Sequence, residues 1–164
     1  MLSVIEATEV PVRGRAVSVY VPATQFGVYV TVAMPSASVM ATIIFHQIAL
    51  QLLHMAGMVP RAAWAMRPLP PFGVPAVISL SFWGGVWGAI MIPIIDRFRG
   101  STYWIWAIVF GALAPTLVAW FVVAPLKHQP IAAGWKPAAM MIGPFVNGVW
   151  GLGTALFYRL FSRR

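Results

Sequence analysis

The chain has 164 residues, of which 60% are hydrophobic and 9% charged, with a mean hydropathy of +0.84. A soluble domain carries roughly 25% charged residues, so this composition excludes an ordinary water-soluble fold. Net charge is +8 and cysteine is absent. Scattered basic residues with no contiguous stripe exclude a nucleic-acid interface, and the lack of thiols excludes disulfides, thiolate metal sites, cysteine nucleophiles and cysteine-ligated iron–sulfur clusters.

Residues 1–35 read as an arm distinct from the rest. Met1, Glu6 and Glu9 belong to a start with two acids and no basic residue, so a cleavable signal peptide is not expected. Residues 17–21 (VSVYV) and 28–32 (VYVTV) alternate with period two around the segment 22–27. That is a strand–turn–strand pattern. It cannot lie in lipid as an open sheet, and an isolated hairpin is marginal in water. The arm therefore reads as a surface for a partner protein or an extended tether. A prolongation of the first helix over 25–34 is the other reading.

Four uncharged apolar stretches follow, at 36–58, 75–95, 102–124 and 137–158, each 21 to 23 residues long. About 20 residues at ~1.5 Å rise cross a ~30 Å hydrocarbon core, and without water they must be helical. The expected fold is all-α: a four-helix membrane domain over 36–164, in contact with membrane lipid, built as two like-oriented hairpins. Seven arginines (Arg13, Arg15, Arg97, Arg99, Arg159, Arg163, Arg164) fall on the side holding the termini, here side one. Four basic residues (Arg61, Arg67, Lys127, Lys136) fall on side two. The excess predicts that both termini are cytoplasmic.

The first stretch contains the polar cluster His46, Gln47, Gln51 and His54. On a regular helix Gln47, Gln51 and His54 share a face and His46 is offset by about 100°. Polar groups at membrane depth are functional candidates. Imidazole suits haem iron, His and Gln suit a quinone or proton site, and His54 with Met55 and Met58 suits Cu(I). The plain alternative is an interhelical hydrogen-bond stripe facing Asn147 or a partner subunit. Haem ligation from two histidines would need facing helices, and the other stretches contain no His.

Stretches two and four carry an internal repeat. Gly85-Val86-Trp87-Gly88 recurs 63 residues later as Gly148-Val149-Trp150-Gly151, and each stretch opens on a proline, Pro75 and Pro137. Gly84 and Gly88 form one small-residue row; Gly85 lies in a second. Gly143, Asn147 and Gly151 recur every four residues. Such rows let helix backbones approach closely. They predict that helices two and four face each other, with Trp87 and Trp150 beside the seam. Stretch three contains Pro115, with Gly111 four residues earlier, and a kink is expected there.

Catalytic groups are sparse. The carboxylates are Glu6, Glu9 and Asp96, all outside the apolar stretches, and no Walker loop or dinucleotide fingerprint occurs. Asp96 reads as a counter-charge to Arg97 and Arg99 in a short turn; His128 lies beside Lys127 in a side-two loop. The second half, from Trp104 through Ala124-Pro125-Leu126-Lys127 and Ala132-Ala133-Gly134-Trp135 to Asn147-Gly148-Val149-Trp150-Gly151, resembles small bacterial inner-membrane proteins of unassigned role. The resemblance covers about 60 residues and implies a bacterial inner membrane without implying an activity. The expected function is a non-enzymatic accessory subunit of a larger membrane complex, such as a respiratory or photosynthetic one. A small homo-oligomeric transporter or channel lined by the His/Gln cluster, and a haem- or quinone-binding protein, are the alternatives.

Overall fold

A computed structural model describes residues 18–21, 28–31 and 33–162, with side chains from residue 36. The expected turn at 22–27, the first 17 residues, Arg163 and Arg164 lie outside the described residues. Strand β1 (Ser18–Val21) pairs antiparallel with β2 (Val28–Thr31), Ser18 opposite Thr31. Helix begins at Ala33.

Among the described residues, four helices are long and apolar enough to cross a membrane: span one, Ser36–Met55; span two, Ala76–Ile95; span three, Gly100–Leu126; span four, Pro137–Ser162. They fit a multi-pass membrane protein. Span one stops three residues before its apolar stretch does. Gly57, at φ +72°, takes the left-handed position there; its amide bonds the His54 carbonyl at 2.9 Å and the Met58 amide reaches back to Leu53 at 2.9 Å. That is a Schellman closure. Span three ends the same way. His128, at φ +52°, bonds Pro125, and the Gln129 amide bonds Ala124 at 2.8 Å. Pro75 caps span two in extended conformation, so Ala76 and not the proline opens that helix, whereas Pro137 does open span four. Pro115 is carried within continuous helix, with a π-helical turn at Ala119–Val123 after it.

The expected glycine seam between spans two and four is not where the glycines pack. Span two lies on span one: a Cβ added at Gly84 would overlap Thr42 Oγ1, and one at Gly88 would overlap Ser38 Oγ. Span four lies on span three, where a Cβ at Gly151 would strike the Ala107 carbonyl and one at Gly111 the Asn147 carbonyl. Span four also packs on span one, with the Phe45 ring against Gly153. The spatial order is therefore two, one, four, three, and spans two and four touch only slightly. Each glycine row serves the neighbour within its own hairpin because that partner offers Ser, Thr, Ala or Gly at the facing position.

Trp150 joins the two hairpins. It is 3% exposed, and its indole N–H donates to Thr42 Oγ1 at 2.9 Å and to the Ser38 carbonyl at 3.2 Å. The same Ser38 and Thr42 receive Gly88 and Gly84 from the other side. One turn and a half of span one thus holds both neighbours. Trp87 instead meets Phe110 of span three edge-on, with ring centroids 6.3 Å apart. A buried apolar cluster lies toward side one, where Met91, Ile95, Tyr103, Ala107 and Trp150 pack together. There Tyr103 donates its hydroxyl to the Ala155 carbonyl at 2.8 Å, and Arg159 stacks 4.2 Å from the Tyr103 ring centre. Asp96 lies beside Tyr158, close enough to act on its hydroxyl.

These contacts rank the glycines. Gly151→Ala places a methyl against backbone that cannot rotate away and should cost about 1–3 kcal/mol. Gly148→Ala meets only ordinary contacts with Ala112 and Ile108 near 3.5 Å and should be tolerated. Thermal unfolding of both variants in the same detergent checks the ranking; equal midpoints would contradict the packing described.

Candidate functional site

The polar cluster of span one is organised by a change in helical pitch. Thr42–His46 forms a π-helical turn. Such a turn inserts one extra residue into the helix. The interval from Thr42 to Gln47 is therefore one turn, and Ser38, Thr42, Gln47 and Gln51 fall on one stripe. Ile43, Ile44 and Ile48 are exposed on the opposite side. In a uniform α-helix the stripe would drift off the face after Thr42.

The first half of that stripe meets span two and the second half meets a loop. With Gly88 facing Ser38 and Gly84 facing Thr42, the antiparallel pairing brings Ala76 level with about residue 50 of span one. Near that level, where span two is only beginning, residues 59–67 pack on the same face of span one. Gln47, 2% exposed, accepts the Trp64 amide on Oε1 at 2.7 Å, and Gln51 accepts the Ala63 amide on Oε1 at 3.0 Å. His54 Nδ1 lies 3.0 Å from the Val59 carbonyl, to which it donates. The Trp64 indole donates to the Ile43 carbonyl at 2.9 Å. Trp64 reaches this double contact at φ +50°.

The loop's other end is fixed to span two. The Arg67 and Ala65 carbonyls accept the Ala76 and Val77 amides at 3.0 and 3.1 Å. These amides are among the first-turn donors that a helix leaves without an internal partner. Strands β3 (Pro68–Leu69) and β4 (Val74–Pro75) then pair into a short hairpin. Irregular backbone is held between the two helices because side chains of span one on one side and amides of span two on the other match its polar groups.

Gln47, Gln51 and His54 thus come together on loop backbone, not on Asn147 as one expectation had it. Asn147 donates Nδ2 to Thr116 Oγ1 at 2.9 Å, joining spans three and four. His46 stands apart: its Nδ1 is buried and has no hydrogen-bond partner among the described residues. No three His, Asp or Glu side chains gather as a metal site among the described residues. Trp64, Ser38, Thr42 and Thr116 carry much of the polar structure and were not singled out from the sequence. A four-residue spacing links Ser38 to Thr42, but the π turn hides its continuation to Gln47.

Compared with known proteins, the chain matches no family model, no curated protein and no solved structure.

Gln47→Leu should release the loop without unfolding the helices. Removing one acceptor leaves the Trp64 amide unmatched, a loss of about 1–3 kcal/mol. Hydrogen exchange at Ala63 and Trp64 should accelerate while amides of spans three and four stay protected. Unchanged exchange in the loop would show that Gln47 does not hold it.

Proposed function

We propose that this chain is a non-catalytic accessory subunit of a larger complex in a bacterial inner membrane. The observation that carries the reading is the direction in which its polar groups point. Gln47, Gln51, His54, Asn147, Thr116, Tyr103 and Trp150 all bond to the chain's own backbone or to one another. The outward surface is apolar: Ile78, Phe82, Ile105, Leu113, Leu117 and Phe121 are exposed. A bundle whose polar residues build its own interior and whose exterior is a hydrocarbon wall is suited to packing beside other membrane helices. The paired strands β1 and β2 add a short sheet, marginal by itself, that a neighbouring subunit would stabilise.

Purification in mild detergent, followed by quantitative mass spectrometry, tests this. The chain should leave the membrane with larger subunits at fixed stoichiometry. A solitary, symmetric particle of this chain alone would favour the homo-oligomeric channel instead. One observation keeps a cofactor reading in play, the buried and unpartnered Nδ1 of His46. A haem spectrum or an extractable quinone that His46→Leu abolishes, with the fold intact, would establish it; a colourless, quinone-free preparation would dismiss it.

The orientation we propose places both termini in the cytoplasm, on the seven-to-four excess of basic residues on side one. Reporter fusions after Arg164 and within the turn at 96–99 should read cytoplasmic, and those beside Arg67 or Lys136 periplasmic. The reverse pattern would overturn the assignment.

A further inference from the structure

The loop between spans one and two does more than close a connection. On its outer side the β3–β4 hairpin and the first turns of span two enclose a shallow groove of about 330 Å³, lined by Leu69, Phe72, Val74, Ile78 and Phe82. These are large apolar side chains left open: Phe72 is 87% exposed and Phe82 64%. The groove is built on fixed backbone. Leu69 pairs with Val74, and the carbonyl of Arg67 is held by the first amide of span two. Arg67 directly precedes β3, two residues before Leu69 of the groove's lining, and is exposed.

The loops on the groove's side of the molecule carry charge of one sign. The side-two loops contain Arg61, Arg67, Lys127 and Lys136 and no Asp or Glu; the only carboxylate from residue 36 onward is Asp96, at the opposite end of span two. The groove also lies at the start of a helix long enough to cross a bilayer, where the hydrocarbon gives way to headgroups. Trp64, Phe72 and Trp135 are exposed on this side, the placement of an interfacial aromatic belt.

We propose that this groove and Arg67 form a binding site for one anionic phospholipid, an acyl chain lying along Phe72, Ile78 and Phe82 and the phosphate paired with Arg67. The guanidinium offers a planar fork of donors matched to phosphate oxygens. The apolar wall continues down span two into the hydrocarbon, which suits a ligand that is charged at one end and apolar along its length. A protein helix would fill the apolar wall and leave the cationic rim without a counter-charge; a zwitterionic lipid would meet the rim with its own cation.

This proposal is independent of whether the chain serves a larger complex, and its test uses the full-length protein in mild detergent. Native mass spectrometry would follow retention of phosphatidylglycerol and of phosphatidylcholine with the same acyl chains. The wild type should retain one phosphatidylglycerol in preference to phosphatidylcholine, and Arg67→Gln should lower that retention about fivefold. Lys136→Gln, in the other side-two loop, should leave it unchanged. Phe72→Ala, at an exposed position that bears no core, should weaken both lipids. Equal retention of the two lipids by the wild type, or an Arg67→Gln variant indistinguishable from it, would overturn the proposal. A photo-crosslinker placed at residue 72 should yield a lipid adduct; a crosslink to a second copy or to another protein would show that a protein covers the groove.

Discussion

In hydrocarbon a backbone amide or carbonyl has no water to turn to, so a chain with four helices of spanning length has to match its polar groups itself. Helices do this for their own interiors and fail at their ends. The irregular loops here resolve the ends. Gly57 and His128 close spans one and three by left-handed turns. The loop at 59–67 supplies carbonyls to the first amides of span two, and takes side-chain acceptors from span one for its own amides. Gln47, Gln51 and His54 of span one serve this requirement.

The π turn at Thr42–His46 makes it geometrically feasible. A regular helix would carry Gln47 about 140° from Thr42 over five residues, onto another face. The wider turn restores the alignment, so one stripe meets span two through Ser38 and Thr42 and the loop through Gln47 and Gln51. The inserted turn also leaves His46 beside the stripe with a buried, unmatched ring nitrogen. Leaving such a group unmatched costs about 1–3 kcal/mol, which is why it is the one polar residue of the span whose place packing alone does not explain.

The repeated Gly-Val-Trp-Gly motif shows how little a motif dictates by itself. In span two its tryptophan meets Phe110 and its last glycine meets Ser38. In span four its tryptophan is buried against span one and its last glycine rests on the backbone of Ala107. Four identical residues thus serve different neighbours, since close approach depends on what the facing helix presents. The two hairpins share a sequence cadence, but their hydrogen-bonded junction is asymmetric: Trp150 is seated on Ser38 and Thr42, with no counterpart from Trp87.

What the sequence determined alone is the set of four helices, because the length of an uncharged apolar run answers directly to bilayer thickness and backbone satisfaction is local to each helix. It also marked Gln47, Gln51 and His54 as a group with a common task, because polar residues at that depth need partners. Tertiary structure decided what those partners are. Glycine rows state that something comes close but not which helix, so the seam expected between spans two and four formed instead within each hairpin. Helical spacing assumed a pitch of about 3.6 residues, so the stripe joining Thr42 to Gln47 could not be seen until the π turn was in place. Trp64 carried no signal in the sequence, since its role depends on a loop returning to span one, a contact between residues 17 and 21 positions apart. Periodicity records only neighbours on the same helix; contacts made across a turn of chain are left to the packing of the whole.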